Sequence, residues 1–428
     1  MLIESESPTQ PRIIPRSEHP ISRKNIHPDA LKVMYRLVHH GFLAYLVGGS
    51  VRDLILGRTP KDFDVGTNAT PNQVKRLFKN CFLVGRRFRL AHIRFGEHVV
   101  ETATFRRTPD VDEDGDVCLV EDNCFGTPEE DALRRDFTIN ALFYNIKDFS
   151  VIDHVGGLED LHARVVRAIG DPNLRFQEDP VRMLRAVRFA SRLGFHIEPA
   201  TYHAILTHHR QILRAPVPRL FDELLRLFAY GSAEAAFRLL YKTGLLHDLI
   251  PEIADFLDHD HGQDSRLWAW LAALDSMAAA SPERGTPAVN LAVLLAPAIA
   301  WVEERYRRAA ETVQHAALVR DLATPVLVRL GAPRWLQDRV ILTLQYQKRF
   351  DPLARKRFSK RGFLAQAVFP ETLAVFEVAS RCGHGDEDVL RSWQELAQSA
   401  PLPAPRPEKP ARQGRRVRRP RRAGVRPA

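Results

Sequence analysis

Two aspartates one residue apart, Asp62 and Asp64, follow shortly after the run Gly48-Gly49-Ser50-Val51-Arg52-Asp53. On a strand, side chains at i and i+2 point to one face, so both carboxylates reach the same place while Phe63 turns to the core. Paired carboxylates at that spacing suit divalent cations, which prefer hard oxygen donors. A Gly-Gly turn that opens a helix lets backbone amides approach a phosphate, and the helix's positive end adds to the field. Gly48, Gly49 and Arg52 are therefore candidate phosphate binders, and Asp62 and Asp64 candidate metal ligands. Nucleotidyl transfer fits such a set, because it needs a triphosphate positioned and its charge neutralised. Taken alone, each motif has a plain structural reading, as a tight turn or a solvated strand edge. Their adjacency is what points to chemistry.

A second cluster is Arg134-Arg135-Asp136-Phe137-Thr138-Ile139-Asn140. Arg135 suits phosphates, Asp136 a ribose hydroxyl or a metal, and Asn140 a polar anchor. A set of surface ion pairs at a helix start would read the same way. The third cluster begins at Glu178-Asp179-Pro180, where Asp179 reads as an N-cap and Pro180 as the first helical residue. Arg182, Arg185 and Arg188 then recur every three residues as one drifting stripe. Asp179 and Arg182 together offer acceptors and donors to the Watson–Crick edge of a base. A solvated basic helix face is the competing reading. Glu101 is either a third acid near the metals or an exposed strand charge. Gly156-Gly157 after Asp153 is a joint or a turn. His92 reads as structural, and the 17 histidines show no metal-site spacing.

These residues need elements to hold them. A helix is expected over residues 28–40, then a strand over 42–47. A short helix with Ser50 as N-cap follows, ended by Gly57. The aspartate strand spans 61–66, and Thr70-Pro71 starts another helix. Further strands are expected at 81–84, 91–95 and 98–105, the last two joined as a hairpin across Gly96-Glu97. A loop over about 107–126 is rich in Asp and Gly. From Glu178 on, strand signals give way to helical periods broken by Pro and Gly. The fold class is α+β, with a small mixed sheet and helices in the head and an all-α body behind it. The expected divisions are a disordered leader over 1–25, broken by prolines, and a nucleotidyltransferase-like head over 26–170. A nucleotide-selecting and RNA-binding neck follows over 171–260, then a helical RNA-binding body over 261–400 and a tail over 401–428.

The chain has 428 residues, 45% hydrophobic and 27% charged, which is ordinary globular material. No run of about 18 apolar residues suggests a membrane span. The N-terminal residues lack the pattern of a signal peptide. Cys81, Cys118, Cys124 and Cys382 show no paired spacing and read as reduced thiols in a cytoplasmic protein. Residues 401–428 hold ten Lys/Arg and one acid, nine of the chain's ten net positive charges. The high pI thus belongs to a tail, expected to be disordered. Its arginines Arg415, Arg416, Arg418, Arg419, Arg421 and Arg422 are candidates for RNA-backbone contact, with a solubilising role as the alternative.

The three clusters, in this order over about residues 40–250, resemble the class II nucleotidyltransferases with a polymerase β-type head. The bacterial members are poly(A) polymerases and CCA-adding enzymes. The segments Gly85-Arg86-Arg87-Phe88-Arg89-Leu90-Ala91-His92-Ile93, Asp122-Asn123-Cys124-Phe125-Gly126-Thr127 and Arg219-Leu220-Phe221-Asp222-Glu223-Leu224-Leu225 are similar to the bacterial poly(A) polymerases, and the basic tail fits that group. The resemblance implies template-independent addition of AMP from ATP to RNA 3′ ends with two Mg²⁺ ions. Asp62 and Asp64 would hold the metals, with Asp136 a third active-site acid. Gly49, Arg52 and Arg135 would bind phosphates, and Asp179, Arg182 and Arg185 would select the nucleotide. ATP and RNA 3′ ends are the implied partners of a monomer, with the RNA-decay machinery a further one. CCA addition to transfer RNA remains open. So does a retired RNA-binding protein, against which the intact acids stand. The helical body and tail argue against a small-molecule nucleotidyltransferase.

Overall fold

β2 (Ala44–Val47) lies inside an eight-stranded sheet because all four of its residues are apolar and both its faces are covered. Leu46 packs with Val33, Met34 and Leu37 of α1 (Pro28–His39), whose apolar residues recur at helical spacing. Tyr45 and Val47 face the other way, onto Phe105 and Phe143. The computed structural model describes residues 10–85, 89–107, 125–351 and 358–399. The expected loop over 107–126 and the basic tail, with its arginines 415–422, fall largely outside them.

The strand order is β1 (Arg12–Ile14), β8 (Val151–Asp153), β7 (Leu142–Asn145), β2, β3 (Val65–Thr67), β6 (His98–Thr104), β5 (Leu90–Phe95) and β4 (Cys81–Val84). β3 runs antiparallel to β2 and parallel to β6, which sets the end of β3 between two neighbours. The β5–β6 hairpin turns at Gly96, where φ is +59°. Residues 10–25 are not a free leader. Arg12–Ile14 pairs with β8, and Ile14 and Ile21 are buried. The prolines there leave an edge strand and two single 3-10 turns, Arg16–Glu18 and Arg23–Asn25, in place of an α-helix.

Around the sheet lie α2 (Gly49–Ile55), α3 (Pro71–Leu77), α4 (Pro128–Leu133) and α5 (Gly157–Ala163). α3 and α4 each start with a capping box, Thr70 with Gln73 and Thr127 with Glu130. The body begins with α6 (Pro172–Glu178), α7 (Val181–Leu193), α8 (Pro199–His208), α9 (Val217–Leu227) and α10 (Ala233–Lys242). One exception to its all-α character is the pair of Val165–Val166 with His196–Ile197, two short parallel strands. Further helices run to Ser399, ending on an aromatic cluster of Phe350, Phe363, Phe369 and Trp393. The main core is continuous from Ile14 to Ala379, so the expected divisions at 170 and 260 do not interrupt packing. One helix, Pro287–Arg308, is long and apolar enough to cross a membrane, but two-thirds of its apolar window is buried within the protein.

Candidate active site

Asp62 and Asp64 precede β3 and do not lie within it, since the strand begins at Val65. The extended backbone still alternates them: Phe63 is buried, Asp62 exposed and Asp64 half-buried. The Val47 amide donates to the Asp64 carbonyl at 3.0 Å, which carries the β2–β3 pairing up to that aspartate. The β3–β6 register sets Val65 opposite Thr102, so Glu101 is brought close. Burial, then Glu101, then Asp62 push the Asp64 carboxyl up to about 6, while Arg135 opposes them. Neither Asp62 nor Asp64 has an ion-pair partner within salt-bridge distance among the described residues. Carboxylates without such a partner leave hard oxygen donors for a divalent cation. Glu101 itself faces His92 at 3.6 Å and is half-exposed.

The glycine turn is built differently from expectation. Gly48 is the helix N-cap, with φ +70° and ψ −133°, and Ser50 lies inside the helix, donating to the Val47 carbonyl at 2.9 Å. A Cβ on Gly48 would stand 2.9 Å from an Arg135 guanidinium nitrogen. Glycine is thus demanded twice, by the backbone and by the neighbour.

Arg52 is 2% exposed and pinned. Its guanidinium donates to Asp53 at 2.9 and 2.7 Å and makes a short bond to Asn140. Asn140 is a hub: its side-chain amide donates to Asp136 at 3.2 Å, and its carbonyl accepts from Arg135 at 3.0 Å. Arg135 is anchored again by Asp131 at 2.9 Å. Asp136 accepts from the Phe137 amide at 2.8 Å and from Arg185 at 2.7 Å. Burial would raise its pKa, but Arg185, Asn140 and the Phe137 amide outweigh it and hold the carboxyl below the usual range. Asp136 is thus paired with Arg185 and lines the same cleft as Asp64, while Glu101 is near enough to Asp64 to act on its charge.

The arginine stripe of α7 is not a solvated face. Arg188 is buried against Glu223 of α9 at 2.8 Å, and Arg185 reaches the same carboxylate at 3.4 Å. Pro180 holds the N-cap position one residue later than expected, yet the Asp179 carboxylate still accepts from the Val181 amide at 3.2 Å. Both oxygens of Asp179 are also taken by Arg219 of α9, at 3.1 and 2.8 Å. Arg182 donates to Glu178 at 2.8 Å and to the Arg175 carbonyl at 3.0 Å.

These groups surround one cleft of about 710 Å³. Gly48, Gly49, Arg52, Asp64, Arg135, Asp136, Asn140, Asp179, Arg182 and Arg185 all line it. Arg134, Arg192, Arg219, Asp222, Glu223 and Arg226 line it too and were not assigned a site role from sequence. Arg192 extends the stripe of 182, 185 and 188 by one more turn, so its position was legible. Eight arginines against five carboxylates give the walls a positive excess suited to a polyphosphate. Asp153 closes a turn, accepting from the amides of Val155, Gly157 and Leu158. His27, Asp29 and His98 also gather, with His27 6.3 Å from the Phe63 ring, a grouping unseen in the sequence spacing. The two imidazoles stack at 3.7 Å, so both aim at one ion only if a ring turns.

A mixed-sheet nucleotidyltransferase head on a helical body is the class that this fold and cleft define. Residues 44–167 match the Poly A polymerase head domain, and residues 194–257 match the probable RNA and SrmB-binding site of polymerase A. Together the two matches cover less than half of the 428 residues. It is 52% identical over 252 residues to Poly(A) polymerase I of Salmonella typhimurium, covering 57% of this chain and 54% of that protein. It is 38% identical over 228 residues to the CCA-adding enzyme of Lactobacillus gasseri, covering 51% and 54%. The chain spans about half the length of the curated relatives it matches. The solved Bacillus stearothermophilus CCA-adding enzyme in complex with CTP superposes with a TM-score of 0.65 at 27% identity, over 87% of this chain and 82% of that one.

Proposed function

We propose that this protein is a template-independent polynucleotide adenylyltransferase that adds AMP from ATP to RNA 3′ ends. The carrying observation is one cleft joining the Asp64 segment, an arginine-rich wall and the Asp179–Arg219 clamp. Arg135, Arg185 and Arg192 bind and orient the triphosphate. Arg52, pinned beneath the glycine turn, sets the shape of the floor and supplies positive potential to it. The adenine edge meets Asp179 and Arg182, so Watson–Crick contacts choose the base without a template. The RNA 3′-oxygen then bonds to the α-phosphorus as the bond to the bridging oxygen breaks and pyrophosphate leaves. Asp62 and Asp64, with Glu101 beside them, would hold Mg²⁺, which supplies charge neutralisation and acidifies the attacking hydroxyl. RNA lies along the helical neck and body and against the basic tail. The two described thiols, Cys81 and Cys382, are free, which fits a cytoplasmic enzyme.

CCA addition is the second reading, favoured by the solved fold neighbour. The clamp on Asp179 weighs against it, since a base reader held from a second helix suits one nucleotide better than two in succession. Primer extension with Mg²⁺ and one nucleoside triphosphate per tube tests both, on an RNA ending in adenosines and on a transfer RNA lacking CCA. Long ladders with ATP alone support adenylation, and strict addition of two C and one A to the transfer RNA would show the other activity. Asp62→Ala with Asp64→Ala should abolish addition while folding and RNA binding persist; addition that survives would sink the mechanism.

A further inference from the structure

Tyr230 sits between α9 and α10 with φ +66° and ψ +20°, in the left-handed region that disfavours a side chain. Gly231 follows with φ +64°. A glycine at 230 would adopt this turn without strain, so the ring needs another reason to be there. Packing does not supply it, because Tyr230 is 59% exposed. Its hydroxyl has no hydrogen-bond partner among the described residues. Among the described residues, the ring's one cation or ring contact is Arg192, whose guanidinium carbon lies 4.0 Å from the ring centroid.

Arg192 ties this ring to the cleft, which it lines. It is held by Asp53 at 2.9 Å, and Asp53 in turn holds Arg52 on the floor. Exposed Arg58 donates to the Arg192 carbonyl at 3.3 Å, and Arg226 on α9, also well exposed, lines the same cleft. Next to the cleft there is therefore an exposed aromatic ring with the Arg192 cation over it, while Arg58 bonds to Arg192 and Arg226 lines the same cleft. An unpaired base stacks on such a ring while its phosphates meet the arginines. Backbone strain kept at an exposed residue beside a cleft is the pattern of a binding position.

We propose that Tyr230 is the stacking platform for a base of single-stranded RNA entering the cleft, in a sandwich of base, Tyr230 and Arg192. The proposal rests on the reading of the cleft as a site that extends RNA, and it names where the acceptor strand is gripped. Replacement by glycine removes the ring and relieves the turn, so it should not unfold the protein. Replacement by phenylalanine keeps the stack.

The test uses the full chain and a short oligoadenylate carrying 2-aminopurine near its 3′ end, titrated without ATP. Tyr230→Gly should weaken binding about ten-fold and lose quenching of the 2-aminopurine, with Tyr230→Phe unchanged. In steady state, Tyr230→Gly should raise KM for RNA by a like factor and leave KM for ATP as it was. Unchanged RNA affinity and quenching in Tyr230→Gly, with an unchanged melting temperature, would overturn the proposal. So would a rise confined to the KM for ATP, which would give the ring to the nucleotide. If the wild-type protein binds the oligonucleotide but never extends it, the activity reading falls, and the binding titration still judges the platform.

Discussion

Within the cleft, Asp64 carries an energetic signature at the level of a single residue. Its carboxyl is raised from 3.8 to about 6 by burial, Glu101 and Asp62. A carboxyl raised in the fold costs stability once it ionises. Its contribution is most favourable below its ordinary range and is lost as pH rises through about 6. In metal-free protein, Asp64→Asn should therefore melt higher than the wild type at pH 8 and equally at pH 3. Mg²⁺ at pH 8 should narrow that gap, because the cation binds the ionised form. Thermal melts with and without Mg²⁺ check this, and a metal-free Asp64→Asn no more stable at pH 8 contradicts it. Arg219 makes a contrasting case. Its pair with Asp179 is half-exposed on the arginine side, so Arg219→Ala should cost little stability. It should nonetheless lower the preference for ATP over CTP about ten-fold, since a two-pronged contact holds the base reader. Separate kcat/KM values for the two nucleotides measure it.

At the scale of elements, the site depends on one tight junction between β2, α2 and the short turn at Thr138–Asn140. Gly48 ends β2's run, caps α2 and leaves room for Arg135. Gly48→Ala forces a left-handed alanine and drives Arg135 from its bond to the Asn140 carbonyl. The expected outcome is a rise of about ten-fold in KM for ATP, with folding retained, from the loss of one charge-assisted bond. A KM within two-fold of wild type would show that Arg135 does not hold the triphosphate. Much of this junction is legible in the chain. The glycines, the apolar alternation around Phe63 and the stripe on α7 are local patterns. The cap position is not, because a serine near a helix start resembles an N-cap unless the fold shows the glycine already serving.

Over the whole molecule, the head and helical body share one core, and the cleft lies where α7 and α9 face α2, Asp64 and the 134–140 segment of the head. A cleft between two such layers is walled by both, so its arginines come from the head and from the body. The tail's charge is a sequence property alone. Removing residues 401–428 should weaken RNA binding at low salt and flatten its salt dependence, by about 0.7 in log–log slope for each phosphate that the tail neutralises. ATP binding and the melting temperature should not change. Affinity titrations from low to moderate salt decide it, and an unchanged slope would leave the tail a solubilising role.

What the sequence by itself determined was the identity and order of the chemical groups. It also set the geometry that depends only on near neighbours, such as the burial of Phe63 between Asp62 and Asp64 and the helix start beside Asp179 and Pro180. What the tertiary structure alone decided was the choice of partner. Arg52 meets Asn140 across 88 residues, Asp136 meets Arg185 across 49 and Asp179 meets Arg219 across 40. An acid in a sequence rich in arginine has many possible cations, and Coulomb attraction does not choose among them along the chain. Packing of α7 against α9, and their approach to α2 and the 134–140 segment of the head, chooses by bringing one pair within hydrogen-bond reach. That is why Asp136, a metal-site candidate by its motif, is held by an arginine, while Glu101, equivocal on its own strand, faces Asp64 across the parallel pairing of β3 and β6.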